Sequence, residues 1–123
     1  MFSSSHYYSE MEQLNKKIDK EKEKRKKYNL FLNKLNDIKK SLDSCCESFN
    51  SADRSMKNGG YSAEGLDIKP DVLNGSKEDL DSIISKTEMV IKECDKNISN
   101  YEELYEAAEA NYYDALEAEK ESD

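Results

Sequence analysis

The sequence has no tryptophan, one proline, one histidine and four glycines among its 123 residues. No stretch approaches the roughly 20 consecutive apolar residues of a membrane-spanning helix, so membrane insertion is not expected. Residues 1–12 lack the basic and then apolar layout of a signal peptide, which predicts synthesis in the cytoplasm without a cleaved signal. Hydrophobic residues make up only 36% of the chain, too little for a thick globular core. The composition therefore predicts a single domain, residues 1–123, held together by narrow apolar seams.

Residues that commonly carry chemistry are scarce. Cys45, Cys46 and Cys94 form an odd set without the spacing of metal ligands, so neither a disulfide framework nor a metal site is expected. Cys46 and Cys94 are interpreted as small apolar residues, with a redox role as the alternative. His6 is interpreted as a surface residue because no nucleophile or carboxylate constellation accompanies it. We expect no catalytic site and no cofactor, since a thin helical protein offers no desolvated pocket that would tune a general acid.

The charge balance narrows the choice of partner. A net charge of −8 argues against nucleic acid, because duplex binding needs a basic face that displaces condensed counterions. An anionic bilayer is disfavoured for the same reason. The expected partner is therefore another protein.

A seven-residue pattern runs through the first half of the chain. Its two columns lie three and four residues apart, which places both on one face of a helix and is typical of a coiled-coil seam. No glycine or proline interrupts the pattern, and Asn58-Gly59-Gly60 favours a helix end. The pattern predicts a helix over about 4–57 with these seam residues: Tyr7, Leu14, Glu21, Tyr28, Leu35, Leu42, Phe49 and Met56; Met11, Ile18, Arg25, Leu32, Lys39 and Cys46.

A second seam of the same kind fills the other half. A capping box that begins at Ser76 and includes Asp79 predicts a helix over about 77–120. All four glycines and the proline fall within 58–76, which predicts a loop there. The predicted seam residues are Leu80, Thr87, Cys94, Tyr101, Ala108 and Ala115; Ile84, Ile91, Ile98, Tyr105 and Tyr112.

The distribution of charge predicts how the helices pair. Residues 16–27 hold eight basic and three acidic side chains, whereas residues 101–123 hold nine acidic and one basic. An antiparallel hairpin lays these blocks side by side. Closure at the middle of the loop places residue i opposite about residue 134 − i, which sets Glu21 and Arg25 against Tyr112 and its neighbours on the second helix. The predicted fold is an all-α, coiled-coil-like antiparallel two-helix hairpin.

Apolar side chains also flank the two seams. They widen the apolar stripe beyond what one hairpin covers, so a hetero-oligomer or a homodimer is expected. The candidate partner-binding residues are Phe31, Ile38, Ile83, Val90, Leu104 and Leu116.

The acidic C-terminal segment contains the pattern Tyr-x-x-x-Asp/Glu twice, as Tyr113 with Glu117 and as Tyr105 with Glu109. Tyr105 is a seam residue, whereas Tyr113 falls outside the seam and is expected to be accessible. Tyr113 and Glu117 are therefore the stronger candidates for a recognition signal, and Tyr105 and Glu109 the weaker ones.

A helix-loop-helix chain with a glycine-bearing turn and Tyr-x-x-x-Glu near its end resembles the small helical WXG proteins of type VII secretion. This chain has Leu73-Asn74-Gly75 where that family has Trp-x-Gly, and its helices are longer. With Tyr7-Tyr8 before a lysine-rich helix and Asn58-Gly59-Gly60-Tyr61 after it, the chain looks more like the small proteins encoded beside LXG-domain toxins.

The resemblance implies a targeting chaperone without enzymatic activity. Its partners would be the helical N-terminal domain of a secreted toxin, a second small helical protein or both, and the secretion apparatus. Tyr113 and Glu117 would then contribute an export signal, and the protein would leave the cytoplasm through a type VII system. The alternative from the sequence is a structural coiled-coil adaptor or a holdase that acts in the cytosol.

Overall fold

The computed structural model describes residues 2–59 and 70–122. Helix α1 spans Ser4–Asn58 and helix α2 spans Pro70–Ser122. Within these ranges 97% of the residues are helical and no strand occurs. The helices pack against each other in opposite directions, since Ser4 at the start of α1 contacts Glu119 in the last turn of α2. The predicted all-α helical hairpin is therefore confirmed.

Both ends of α1 agree with the sequence prediction. Ser3 caps the helix, because its hydroxyl oxygen accepts a hydrogen bond from the backbone N–H of His6 at 3.3 Å. The N–H of Gly59 donates to the carbonyl oxygens of Ser55 and Met56, each at 3.1 Å, where the helix ends. Specific hydrogen bonds thus define where α1 begins and where it ends.

Helix α2 begins at Pro70, earlier than the predicted start at about residue 77. Proline suits the first turn of a helix, where a missing N–H leaves no carbonyl without its donor. The predicted capping box is therefore wrong, because Ser76 lies inside α2. So does Leu73-Asn74-Gly75, which the resemblance had compared with a family turn. Residues 60–69 of the predicted loop lie outside the described residues.

The seam itself explains the longer α2. Leu73 and Lys77 lie one heptad before the buried Leu80 and Ile84, and both are half-buried. One more heptad of the seam thus packs against α1. A Cβ atom added to Gly75 would meet no other atom within 4 Å, so close packing does not require a glycine there.

Contacts divide the hairpin into two units. We call Met1–Tyr28 with Val90–Asp123 the terminal unit, and Asn29–Met89 the middle unit. Each unit contains a segment of α1 and a segment of α2.

The predicted seams form the interior of both units. Every residue of the four predicted columns is buried or half-buried. In the middle unit Leu35, Leu80 and Ile84 form a cluster against which Leu32 and Leu42 pack. In the terminal unit small side chains are prominent, and the buried residues are Ile18, Cys94, Ile98, Ala108 and Ala115. Neither helix contains, in its described residues, an apolar stretch that could cross a membrane.

The pairing of the helices differs from the prediction. In the terminal unit Arg25 pairs with Asp95, and in the middle unit Lys39 pairs with Asp81 and Asp43 with Lys77. In each pair the two residue numbers add up to 120, not to the expected 134.

The expected position of Tyr112 is therefore corrected. Glu21 and Arg25 lie against Asn97 and Asp95, respectively, instead of Tyr112. Tyr112 lies against Tyr8, with 5.9 Å between their ring centroids.

Candidate partner-binding surfaces

Two rows of residues border each seam. In heptad notation the seam occupies positions a and d, and the bordering rows are positions e and g. In an antiparallel pair the two e rows share one side of the hairpin and the two g rows share the other. We call these sides the e flank and the g flank.

Ion pairs cover the e flank of the middle unit. Nζ of Lys39 lies 2.8 Å from Asp81, and Nζ of Lys77 lies 3.0 Å from Asp43. Both lysines are seam residues, and both aspartates occupy e positions. The aspartates raise the pKa of each lysine above its ordinary value, first by hydrogen bonding and then by charge attraction. Asp43 and Asp81 are therefore already paired with lysines of the hairpin itself.

The g flank of the middle unit is apolar. Phe31 and Ile38 of α1 are 46% and 54% exposed, and Ile83 of α2 is 44% exposed. The observed register sets Ile38 opposite residues 82 and 83, so the side chains from the two helices border the same stretch of seam. We call Phe31, Ile38 and Ile83 the apolar flank. It unites three of the six candidate partner-binding residues.

The other three candidates belong to the terminal unit and do not share one side of it. Leu104, at a g position, is 55% exposed and borders an open groove of about 340 Å³. Val90 is also at a g position but is half-buried. Leu116 is half-buried at an e position, on the side opposite Leu104. The six candidates are therefore not one continuous stripe.

Of the two Tyr-x-x-x-Glu pairs, Tyr113 with Glu117 is the accessible one. Tyr113 is 60% exposed, and Glu117, one helical turn further on, is exposed as well. Tyr105 and Glu109 are both half-buried. The pair of Tyr113 and Glu117 is thus more accessible than the pair of Tyr105 and Glu109, because Tyr105 belongs to the seam and Tyr113 does not.

The structure adds Tyr8 to the surroundings of Tyr113. The ring of Tyr112 lies 5.4 Å from that of Tyr113 and 5.9 Å from that of Tyr8, measured between centroids. Tyr8 is itself 51% exposed. Sequence reasoning missed this neighbour, because the expected register placed Tyr112 far from Tyr8. We call Tyr8, Tyr112 and Tyr113 the tyrosine cluster.

The cysteines differ in their surroundings, and all three are free thiols. Cys94 is only 1% exposed, and burial, followed by the neighbouring Glu21 carboxylate, raises its thiol pKa. Cys46 is buried and Cys45 is exposed. Across the described ranges no group of three or more histidine, cysteine, aspartate or glutamate residues is arranged to hold a metal ion.

These features define a class of protein, an amphipathic helical hairpin with accessible apolar and aromatic surfaces. No known protein family, curated protein or solved structure matches the chain. The function is therefore argued from these surfaces.

Proposed function

We propose that the protein is a non-enzymatic targeting chaperone that binds the helical N-terminal domain of a toxin of the LXG type. In this proposal its C-terminal segment contributes an export signal for a type VII secretion system. The observation that carries the proposal is the apolar flank, where Phe31, Ile38 and Ile83 remain 44–54% exposed on a chain that is 37% charged.

The apolar flank supports a helical partner for a geometric reason. Phe31 and Ile38 lie seven residues apart, so their side chains point the same way over a distance of about 10 Å along α1. A partner helix with its own apolar residues every three or four positions matches this spacing and converts the hairpin into a larger bundle.

The accessibility of Tyr113 and Glu117 supports the signal. Neither side chain is used by the seam, so a receptor can bind them while the hairpin stays folded. The tyrosine cluster widens the aromatic surface beside them.

Secretion of variants tests the proposal. The protein is produced with a candidate partner toxin of the LXG type, in a host that has a type VII secretion system, and both proteins are measured in cells and in culture supernatant. Tyr113→Ala and Glu117→Ala are expected to abolish secretion of the pair while the two proteins still co-purify. Glu103→Ala, a change at an exposed carboxylate of the same acidic segment, is the matched control.

Each result has a separate meaning. Normal secretion of Tyr113→Ala and Glu117→Ala would remove the export signal and favour the cytosolic adaptor or holdase. Failure of the wild-type protein to co-purify with the toxin domain would remove the proposed partner.

A further inference from the structure

Two lysines border the apolar flank of the middle unit. Lys34 of α1 and Lys86 of α2 both occupy position c, next to the g row on the outer side of each helix. Their residue numbers add up to 120, like those of the observed ion pairs, so they stand at the same level on opposite edges of the flank. Both are exposed, and neither forms an ion pair within the described part of the chain.

Few carboxylates lie near these two lysines along their own helices. Every residue three or four positions from Lys86 is uncharged, and Asp37 is the one carboxylate so placed around Lys34. This is unusual in a chain with 27 acidic residues, of which Asp81 and Asp43 pair with Lys39 and Lys77 on the e flank of the same unit. Within the middle unit the next residues along the two edges, Ser41 and Asp79, carry no positive charge. In that unit the cationic edges are therefore confined to the level between Phe31 and Ile38.

A second copy of the same flank is a poor occupant. Two copies packed flank to flank would each bring the two lysines to the edges of the shared interface, where the like charges repel. The charge pattern instead favours an occupant that brings carboxylates to both edges.

We infer that the apolar flank binds an amphipathic α-helix whose apolar stripe is bordered by carboxylates on both sides, with Lys34 and Lys86 pairing with those carboxylates. The inference rests on the proposed partner-binding function and specifies the chemistry of the partner. Apolar contacts with Phe31, Ile38 and Ile83 supply affinity, and the two lysines select the charge of the edges.

Two designed peptides test this inference on the full chain. Both have three heptads with leucine at a and d, and they differ only at e and g, which carry glutamate in one and lysine in the other. Binding is measured by fluorescence anisotropy of the labelled peptides. The glutamate-edged peptide is expected to bind at least about tenfold more tightly, and more weakly as salt is raised.

Variants locate the binding surface. The double change Lys34→Glu with Lys86→Glu should reverse the preference between the peptides, whereas Lys40→Glu, at an exposed b position towards the e flank, should leave it unchanged. Phe31→Ser should weaken binding of both peptides at least about tenfold, with an unchanged helical spectrum. The glutamate-edged peptide should also slow modification of Cys45, which is exposed at the g position after Ile38.

The outcomes separate this inference from the proposed function. The two peptides could bind equally, or the lysine-edged peptide could bind more tightly, with binding lost in Phe31→Ser. Either result would overturn the inference that the partner helix has acidic edges, but would still show that the apolar flank binds a helix. Absence of binding by either peptide would overturn the inference, and co-purification with the toxin domain would then decide the proposed function separately. A wild-type dimer that Phe31→Ser converts to a monomer would show that a second copy occupies the flank, and would overturn the inference too.

Discussion

Glu119 in the last turn of α2 accepts two hydrogen bonds from Ser4, the first residue of α1. Its carboxylate oxygens lie 2.9 Å from the backbone nitrogen and 2.7 Å from the hydroxyl oxygen of Ser4. The first N–H groups of a helix have no partner within the helix, and its N-terminus attracts negative charge. One helix thus caps the other at the chain termini, and these hydrogen bonds lower the pKa of Glu119.

We therefore expect Glu119→Gln to loosen the first turn of α1. Its backbone amides should exchange with solvent several-fold faster, while exchange in the middle unit stays the same. Hydrogen exchange read by mass spectrometry measures both. Glu121→Gln, an exposed change in the same turn of α2, should have no such effect.

The same contact predicts a pH dependence. Because folding lowers the pKa of Glu119, its contribution is fully present above the ordinary value of 4.5 and is lost as the pH falls through the lowered value. Protection of the first turn of α1, expressed relative to the intrinsic exchange rate at each pH, should therefore fall at acidic pH in the wild-type protein. A similar fall in Glu119→Gln would assign the effect to other groups.

The pairing of the helices can be checked by chemical crosslinking. Carbodiimide joins an amine to a carboxylate only when they touch, so crosslinks between Lys39 and Asp81 and between Lys77 and Asp43 are expected in the middle unit. Peptide mapping by mass spectrometry identifies them. Crosslinks between residues whose numbers add up to about 134 would contradict the structure, and Lys39→Arg provides a control that removes one reactive amine.

This register, like the early start of α2 at Pro70, is a part of the fold that the sequence did not predict. The expected and observed pairings differ by two heptads, and a shift of whole heptads keeps the apolar columns aligned. Charge does little to choose among such shifts, because position e of α2 is acidic in five successive heptads at Asp81, Glu88, Asp95, Glu102 and Glu109. Arg25 and Lys39 would therefore meet a carboxylate in several registers.

Lys77 is the residue whose charge distinguishes the observed register from the expected one. The observed register gives it Asp43, whereas the expected register would have set it opposite Lys57. A helix predicted to begin at about residue 77 leaves Lys77 outside the predicted seam, so its charge does not enter the prediction of the register. The burial of the seam residues, in contrast, was predictable, since it depends only on the seven-residue period and not on the register.

For the partner-binding candidates, too, some features follow from the seven-residue period and others depend on the register. The period alone predicts that Phe31 and Ile83 lie beside their seams, and both are exposed there. That Lys34 and Lys86 stand at the same level on opposite edges of the apolar flank depends on the register. So does the approach of Tyr8 to Tyr112 in the tyrosine cluster.

Two leucines near each other in α1 are expected to contribute very differently to the free energy of unfolding. Leu35 is 6% exposed in the cluster of the middle unit, whereas Leu30 is 55% exposed. Leu35→Ala should lower the free energy of unfolding by about 2–4 kcal/mol because it leaves a cavity, and Leu30→Ala by less than about 0.5 kcal/mol. Urea unfolding followed by circular dichroism measures both. Equal effects would contradict the seam, since the two changes have the same helix propensity.

The three thiols are expected to react at different rates. Cys45 is exposed, whereas Cys46 is buried and Cys94 combines burial with a raised pKa. Only the thiolate attacks an alkylating reagent, so iodoacetamide should modify Cys45 at least about tenfold faster than the other two in the folded protein. Mass spectrometry of proteolytic peptides follows each site, with equal labelling in urea as the reference. Cys45→Ser should abolish the fast phase, and rapid labelling of Cys94 in that variant would contradict its position in the interior of the terminal unit.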